Sequence, residues 1–367
     1  MTKMAPLLDR YAAHLPVTAR TPRITLGEGD TPLVRSPWLE RETGIDEVWL
    51  KIEGANPTGS FKDRGMVVAI AKAMEGGARS VLCASTGNTA ASAAAYAARG
   101  GLRCAVVLPA NYVALGKLVQ AMAFGARVVA VRGGFDEALA LVRELGETGE
   151  HVLVNSINPH RIEGQKTAAF EICEALGDAA DALCIPVGNA GNITAYWRGF
   201  VEAHAAGMAT RRPRMFGFQA AGAAPIVNGA PVLEPKTVAT AIRIGNPASW
   251  SGAVEARDAS GGAIEAVTDD EIIDAYTCLA RRDGIFCEPA SAAAVAGLRR
   301  RARAGAMKDI ERVACVLTGN GLKDPDTAKA TSAAITEVEP RLDAVREALE
   351  RYDAPGVHAG PAVTRVG

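Results

Sequence analysis

The sequence predicts an α/β fold built on mostly parallel sheets with helices on both faces. Two observations predict it. Short apolar, β-rich runs recur at 48–52, 80–84, 103–108, 127–131, 151–154, 183–187, 215–219 and 313–318. Between them lie Ala-rich stretches of helical length at 62–74, 89–98, 136–145, 162–176 and 193–204. A strand that is apolar on both sides must be buried on both faces. Helices alternating with such strands supply that cover and join parallel neighbours. In these sheets ligands gather at the carboxyl ends of the strands, so the loops that follow the runs are where chemistry is expected.

The remaining elements follow in chain order. The segment 220–262 is rich in Gly, Pro and Ala with weak periodicity, and is read as a long, partly irregular active-site segment. Helical pattern resumes at Asp269, and 289–303 forms a further helix. A late amphipathic helix is expected over 342–352 behind Pro340, and the Gly/Pro-rich tail 353–367 is expected to be flexible.

Bulk properties exclude several classes of function. The 367 residues are 49% hydrophobic and 22% charged, which suits a globular protein with room for two domains. A net charge of -1 gives no long-range field to gather nucleic acid or anionic lipid, so any bound anion must be held by local groups. The seven cysteines are scattered, with no CxxC pair and no Cys/His cluster at metal spacing. No metal site is expected, and the odd count without a disulfide pattern points to a reducing, cytoplasmic compartment. The start lacks an apolar signal core, and no apolar run approaches the roughly 20 residues of a membrane span.

Five strings carry candidate chemistry. Lys62 lies in Asn56-Pro57-Thr58-Gly59-Ser60-Phe61-Lys62-Asp63-Arg64, entering a helix behind a turn. There it can project into a cleft as a desolvated amine, or stand as an ordinary solvated helix-start lysine. The turn Gly188-Asn189-Ala190-Gly191-Asn192 joins a strand to a helix. Its glycines and free backbone N–H groups suit an anion, a feature shared with dinucleotide folds, although no GxGxxG and no Walker lysine is present. Ser85-Thr86-Gly87-Asn88-Thr89 is again a polar strand-to-helix turn, fit for a carboxylate or for a plain helix cap. Thr318 ends the last apolar run, in Thr318-Gly319-Asn320-Gly321. In Asn155-Ser156-Ile157-Asn158-Pro159-His160-Arg161, Asn158 and Pro159 read as a helix start. An arginine there is mildly disfavoured by the helix dipole, which favours an anion partner over a surface role. The five histidines form no pattern, and His160 reads as structural.

The Lys62 string resembles the Schiff-base segment of the fold-type-II pyridoxal-phosphate enzymes, the tryptophan-synthase-β-like family. The resemblance spans about 26 to 326. It implies two doubly wound domains, a small one at 56–154 and a large one from 1–55 and 155–352, with the cofactor between them. It further implies that Lys62 carries pyridoxal 5'-phosphate and that Phe61 lies near its ring. Asn88 would bond the phenolic oxygen, and Gly188, Asn189, Ala190, Gly191 and Asn192 would cradle the cofactor phosphate. Thr318 would face the pyridine nitrogen as a neutral partner, while Ser85, Thr86 and Thr89 would hold the substrate carboxylate. The string at 288–293 also resembles a family segment near the ring.

Three further strings resemble the threonine synthases within that family: the opening Leu26-Gly27-Glu28-Gly29-Asp30-Thr31-Pro32-Leu33, the Asn155 to Arg161 string, and 239–247. They imply conversion of O-phospho-L-homoserine and water to L-threonine and phosphate, with Asn155, Ser156 and Arg161 holding the substrate phosphate. A homodimer is implied in the same way. With 25 residues ahead of Leu26, control by S-adenosylmethionine through an N-terminal extension, as in plants, is not expected. A threonine or serine dehydratase shares the cofactor apparatus without the phosphate clamp. Cysteine synthase fits Thr318 and Arg161 less well, and a catalytically silent cofactor-binding protein would leave the filled catalytic positions without purpose.

Overall fold

The computed structural model describes residues 5–85, 87–110, 115–132, 141–142, 144–147, 149–332 and 335–352. Residues 1–325 form one compact unit and 326–367 a second, which contains the helices Pro325–Thr331, beginning at its boundary, and Leu342–Tyr352.

The first unit holds two sheets. The larger has the order β1 (Leu33–Arg35), β2 (Glu47–Ile52), β10 (Arg312–Leu317), β7 (Ala182–Pro186), β8 (Arg214–Ala220), β9 (Ala263–Val267). Every pairing in it is parallel except β1 with β2. The smaller sheet has the order β5 (Arg127–Val131), β4 (Arg103–Pro109), β3 (Ser80–Cys83), β6 (Val152–Leu153), parallel throughout. The continuous apolar runs explain the centre of each sheet: β3 and β7 are buried at every position. Helix Pro289–Arg303, with nine buried apolar or glycine positions, packs across β7, β8, β9 and β10.

The expected α/β fold with mostly parallel sheets is what the chain adopts, with local corrections. Segment 220–262, read as partly irregular, contains the unlocated helix Trp250–Ser260, whose buried face is only Ala253 and Ala256 and so gives a faint periodicity. The edge strands β1 and β9 leave no apolar run in the sequence, both being short, β1 mostly exposed and β9 mostly half-buried. The stretch 162–176, read as one helix, is two, Pro159–Gln165 and Thr167–Leu176. Thr167 Oγ1 donates to Gly164 O at 2.7 Å, a side-chain bond to the helix backbone of the kind that bends helices. Part of the expected helix 136–145 and the whole tail 353–367 lie outside the described residues.

Two glycine contacts bring the site together. A Cβ on Gly65 would lie 2.4 Å from Arg161 O, and one on Gly164 would lie 2.0 Å from Arg64 O. Helices Lys62–Glu75 and Pro159–Gln165 therefore touch backbone to backbone, a separation only glycine permits. Lys62 and Arg161, each three residues before its glycine, are placed on neighbouring turns.

Candidate active site

A single cleft of about 1940 Å³ is lined by every expected site residue among those described: Phe61, Lys62, Ser85, Asn88, Thr89, Asn155, Ser156, Arg161, residues 188–192 and Thr318. Thr86 lies outside the described residues.

Lys62 opens its helix behind the turn Asn56–Gly59, which Gly59 N closes on Asn56 O at 2.8 Å with Gly59 at φ +87°. The turn is bound to the last strand's loop, since Phe61 N donates to Thr318 O at 3.0 Å and Asn320 N to Gly59 O at 2.9 Å. The lysine and the strand-end hydroxyl are thus fixed to each other. Lys62 Nζ lies 4.2 Å from the centre of the Phe61 ring. Burial, and next the Arg161 cation, push the Lys62 ammonium down to about 7, against the opposing pull of Glu288. Near neutrality a large share of Lys62 is then the free amine, the form that can attack a carbonyl or take a proton.

Arg161 is 1% exposed and, among the described residues, forms no ion pair with a carboxylate within 4 Å, although the Asp63 charge acts on it from farther off. Its Nη1 donates to Val154 O at 3.3 Å, its Nε has no partner, and burial lowers its pKa to about 10. A buried guanidinium left this way lacks an anion. Beside it, Ser156 Oγ accepts from Asn189 Nδ2 at 2.8 Å and keeps its own hydrogen to donate. Asn155 is committed differently: its Oδ1 accepts from Ala84 N at 2.8 Å and its Nδ2 donates to Ala84 O at 2.9 Å. It ties the end of β3 to the Arg161 turn, with one amide hydrogen left over.

The turn 188–192 has the features of an anion cradle. Ala190 takes a left-handed φ of +64° ahead of helix Gly191–Ala205, and a Cβ on Gly188 would lie 2.8 Å from Ile242 Cα. Asn189 Oδ1 accepts from Ala248 N at 2.6 Å, fastening the turn to the 239–249 segment. Both side-chain polar atoms of Asn192 are buried without a partner. Orphaned amide groups at a helix N-terminus call for a ligand with oxygens.

At the other end, Thr318 Oγ1 lies 3.0 Å from Ser291 Oγ and 3.3 Å from Glu288 Oε1. Glu288 is the N-cap of helix Pro289–Arg303, yet its side chain makes no cap bond and instead accepts from Asn88 Nδ2 at 3.1 and 3.3 Å. Burial raises its pKa, opposed by the Asn88 bond. The string at 288–293, expected near the ring from its resemblance, does bring Glu288 to the cleft wall; its bonds with Asn88 and Thr318, and that of Ser291 with Thr318, are what the sequence does not show. Residues 231–236 and 240–248 complete the wall, as expected of an active-site segment within 220–262, and Lys323, bonded to Gln120, joins them unforeseen. Among the described residues no group of His, Cys, Asp or Glu could hold a metal ion, and no helix is long and apolar enough to cross a membrane.

These residues fit pyridoxal phosphate. Lys62 offers a reactive amine, Asn192 and the 188–192 backbone offer donors for a phosphate, and Thr318 offers a neutral hydroxyl. Arg161 remains for a second anion.

Comparison with known proteins agrees. Residues 24–319 match the family model described as pyridoxal-phosphate dependent enzyme. A threonine synthase of Halalkalibacterium halodurans is 59% identical over 331 residues, covering 90% of this chain and 93% of the relative. One from Methanocaldococcus jannaschii is 50% identical over 350 residues, covering 93% and 86%. In structure the chain resembles a threonine deaminase isoform of Solanum lycopersicum, with TM-score 0.73, 23% identity and coverage of 88% and 92%. Maize serine racemase gives 0.72, 20%, and 94% and 96%.

Proposed function

This chain belongs to the pyridoxal-phosphate dependent enzymes, and from that premise we infer that it catalyses the threonine-synthase reaction, O-phospho-L-homoserine and water to L-threonine and phosphate. The observation that carries the choice of substrate is Arg161, a buried guanidinium without an anion in the same cleft as Lys62. A dehydratase acting on threonine or serine has no phosphate to place there.

Over the reaction a carbon–oxygen bond breaks at Cγ, another forms at Cβ with the oxygen of water, and one hydrogen is transferred from Cβ to Cγ. When bound, pyridoxal phosphate supplies the electron sink that makes carbon–hydrogen bonds near the substrate amine breakable. Lys62 Nζ, as a free amine, would take the Cα proton and return protons to carbon; a pKa near 7 suits it to both directions. Ser85, Thr89 and the first N–H groups of helix Asn88–Arg99 hold the carboxylate. Arg161 and Ser156 hold the γ-phosphate, with Asn155 positioning their turn, and the guanidinium stabilises the charge that grows as the carbon–oxygen bond breaks. The 188–192 turn would hold the cofactor's phosphate, and Thr318, beside Ser291, would offer the pyridine nitrogen a neutral partner rather than a full charge.

We assign the four-stranded sheet to a small domain at 56–154 and the six-stranded sheet to the large domain, which is supported by all four strands of the former lying within 80–153. A cytoplasmic, homodimeric enzyme completes the reading; seven free cysteines support the compartment, and the dimer rests on the family resemblance.

The test is Arg161→Ala. A charge-assisted bond contributes about 1.5–3 kcal/mol, so kcat/KM for O-phosphohomoserine should fall at least about tenfold. Any activity on threonine or serine should survive. Equal losses on phosphorylated and unphosphorylated substrates would make Arg161 structural and revive the dehydratase reading.

A further inference from the structure

The string Leu26 to Thr31 is no part of the cleft wall, so the reaction leaves it without a role. It is a strap in which Gly27 at φ +91°, Gly29 at +84° and Asp30 at +49° all take left-handed backbone. Such a run is strained for Asp30 and persists only where surrounding contacts hold it. Those contacts are specific. Gly29 N donates to Asn56 Oδ1 at 3.0 Å, Asp30 N to Glu171 Oε1 at 2.7 Å, and Thr31 Oγ1 to Glu53 Oε1 at 2.7 Å. Thr31 O accepts from Lys51 Nζ at 2.8 Å.

Beneath the strap lies a closed set of four buried charges. Arg64, 0% exposed, donates to Glu53 through Nε at 2.7 Å and Nη2 at 2.8 Å, and to Glu171 through Nη1 at 2.7 Å and Nη2 at 2.6 Å. Lys51 Nζ donates to Glu171 Oε2 at 2.7 Å, and Arg64 Nη2 also reaches Thr31 Oγ1 at 3.1 Å. Two cations and two carboxylates balance, and the strap supplies the last donors and acceptors. Such a set is an uncertain source of stability but a strict constraint on geometry.

That constraint reaches the site by short routes. Arg64 is two residues beyond Lys62 on the same first helical turn. Glu53 also holds Asn56, accepting its Nδ2 at 3.0 Å, and Asn56 opens the turn leading to Lys62. A Cβ on Gly54 would lie 2.7 Å from Asn320 N, so the same segment abuts the loop of Thr318. At the strap's other end Glu28 Oε2 accepts from Tyr96 OH at 2.8 Å, on the helix that begins at Asn88.

We propose that residues 26–31, with Arg64, Glu53 and Glu171 beneath them, are positioning residues: Thr31 fixes Lys62 through Arg64, and Glu28 fixes the Asn88 helix start through Tyr96. The proposal rests on Lys62 being the cofactor lysine. None of these groups touches the reacting atoms. Their effect is on the angle and distance at which Lys62 and the carboxylate turn are presented, where an error of about 1 Å can lower a rate by about 100-fold.

The experiment uses the holoenzyme of Thr31→Val, which keeps the side-chain shape and removes the hydroxyl, with Thr31→Ser as the conservative control. Thr31→Val should lower kcat at least about tenfold and change the circular dichroism of the bound cofactor, while Thr31→Ser restores both. Wild-type kcat and dichroism in a Thr31→Val enzyme whose only change is a lower melting temperature overturn the proposal. If Thr31→Val does not fold, Tyr96→Phe decides: KM for O-phosphohomoserine should rise with kcat nearly unchanged, and an unchanged KM overturns it. Lys62→Ala separates the two layers. A cofactor still covalently held in Lys62→Ala removes the premise, whereas its loss there beside a wild-type Thr31→Val removes the positioning role alone.

Discussion

Gly65 and Gly164 face each other across two helices so closely that a Cβ on either would collide with backbone, at 2.4 Å from Arg161 O and 2.0 Å from Arg64 O. This contact sets how far the amine of Lys62 stands from the guanidinium of Arg161. Both helices carry the site at their N-terminal turns, so a change in their separation is a change in the site.

Gly164→Ala is therefore expected to do two things at once. Overpacking of a tight contact costs about 1–3 kcal/mol, measurable as a lower denaturant midpoint. Because the helix must shift to admit the methyl, kcat/KM for O-phosphohomoserine should fall in the protein that remains folded. Full activity per folded molecule would mean that the contact matters for stability alone.

The amine of Lys62 should titrate near 7 in the cofactor-free protein. Capture of pyridoxal phosphate needs the free amine, so its rate should rise with pH through about 7 and level off well below the usual lysine range. Arg161 is the second cause of the depression, after burial. Arg161→Met removes a neighbouring positive charge, favours the ammonium, and should move the limb to higher pH. A limb that stays in place shows that the Arg161 charge does not reach Lys62.

Asp63 gives a sign that can be checked on stability. Burial raises its carboxyl to about 6 against the bonds from Ser92 and Thr58. A folded pKa above the unfolded one means stability fully present below the ordinary value of 3.8 and lost as pH rises through about 6. Asp63→Asn should flatten that part of the stability curve. The same slope in the variant would assign it to another group.

Much of this was legible in the sequence. The central strands β3, β7, β8 and β10 announce themselves as continuous apolar runs because both of their faces are covered. Lys62, the 188–192 turn and Thr318 lie in contiguous strings at strand ends, where position in the fold follows from position in the chain. What was not legible depends on distant partners. The string at 288–293 resembles a segment near the ring, but that the Glu288 carboxylate meets Asn88 and Thr318 appears only in the fold. The tie of the Asn155 amide to Ala84, which leaves it one hydrogen for a ligand, does not show in the sequence. Helix Trp250–Ser260 gives no strong pattern because small residues fill its buried face.

Thr318 and Ser291 make a further pair of expectations. Gly319 N donates to Ser291 Oγ at 2.9 Å, and Ser291 Oγ lies 3.0 Å from Thr318 Oγ1 while also donating to Gly319 O at 3.3 Å, so Ser291 ties Thr318 to its own loop. Ser291→Ala should loosen Thr318 and change the bound cofactor's absorption in the same direction as Thr318→Val, to a lesser extent. Thr318→Asp would place a carboxylate at the pyridine nitrogen, favour its protonation, and raise by-products such as transamination. Spectra and product ratios unchanged in all three would place Thr318 away from that nitrogen.

The central claim is that a phosphate ester, and not a free hydroxy amino acid, is the substrate of this cleft. Its most direct test is a steady-state assay on the holoenzyme with O-phospho-L-homoserine, L-threonine and L-serine as separate and competing substrates, following threonine, inorganic phosphate and ketoacid together. The account predicts threonine and phosphate in equal amounts from O-phosphohomoserine, with kcat/KM far above that for ketoacid formation from threonine or serine. A higher kcat/KM for ketoacid from threonine, with no phosphate released from O-phosphohomoserine, would contradict it.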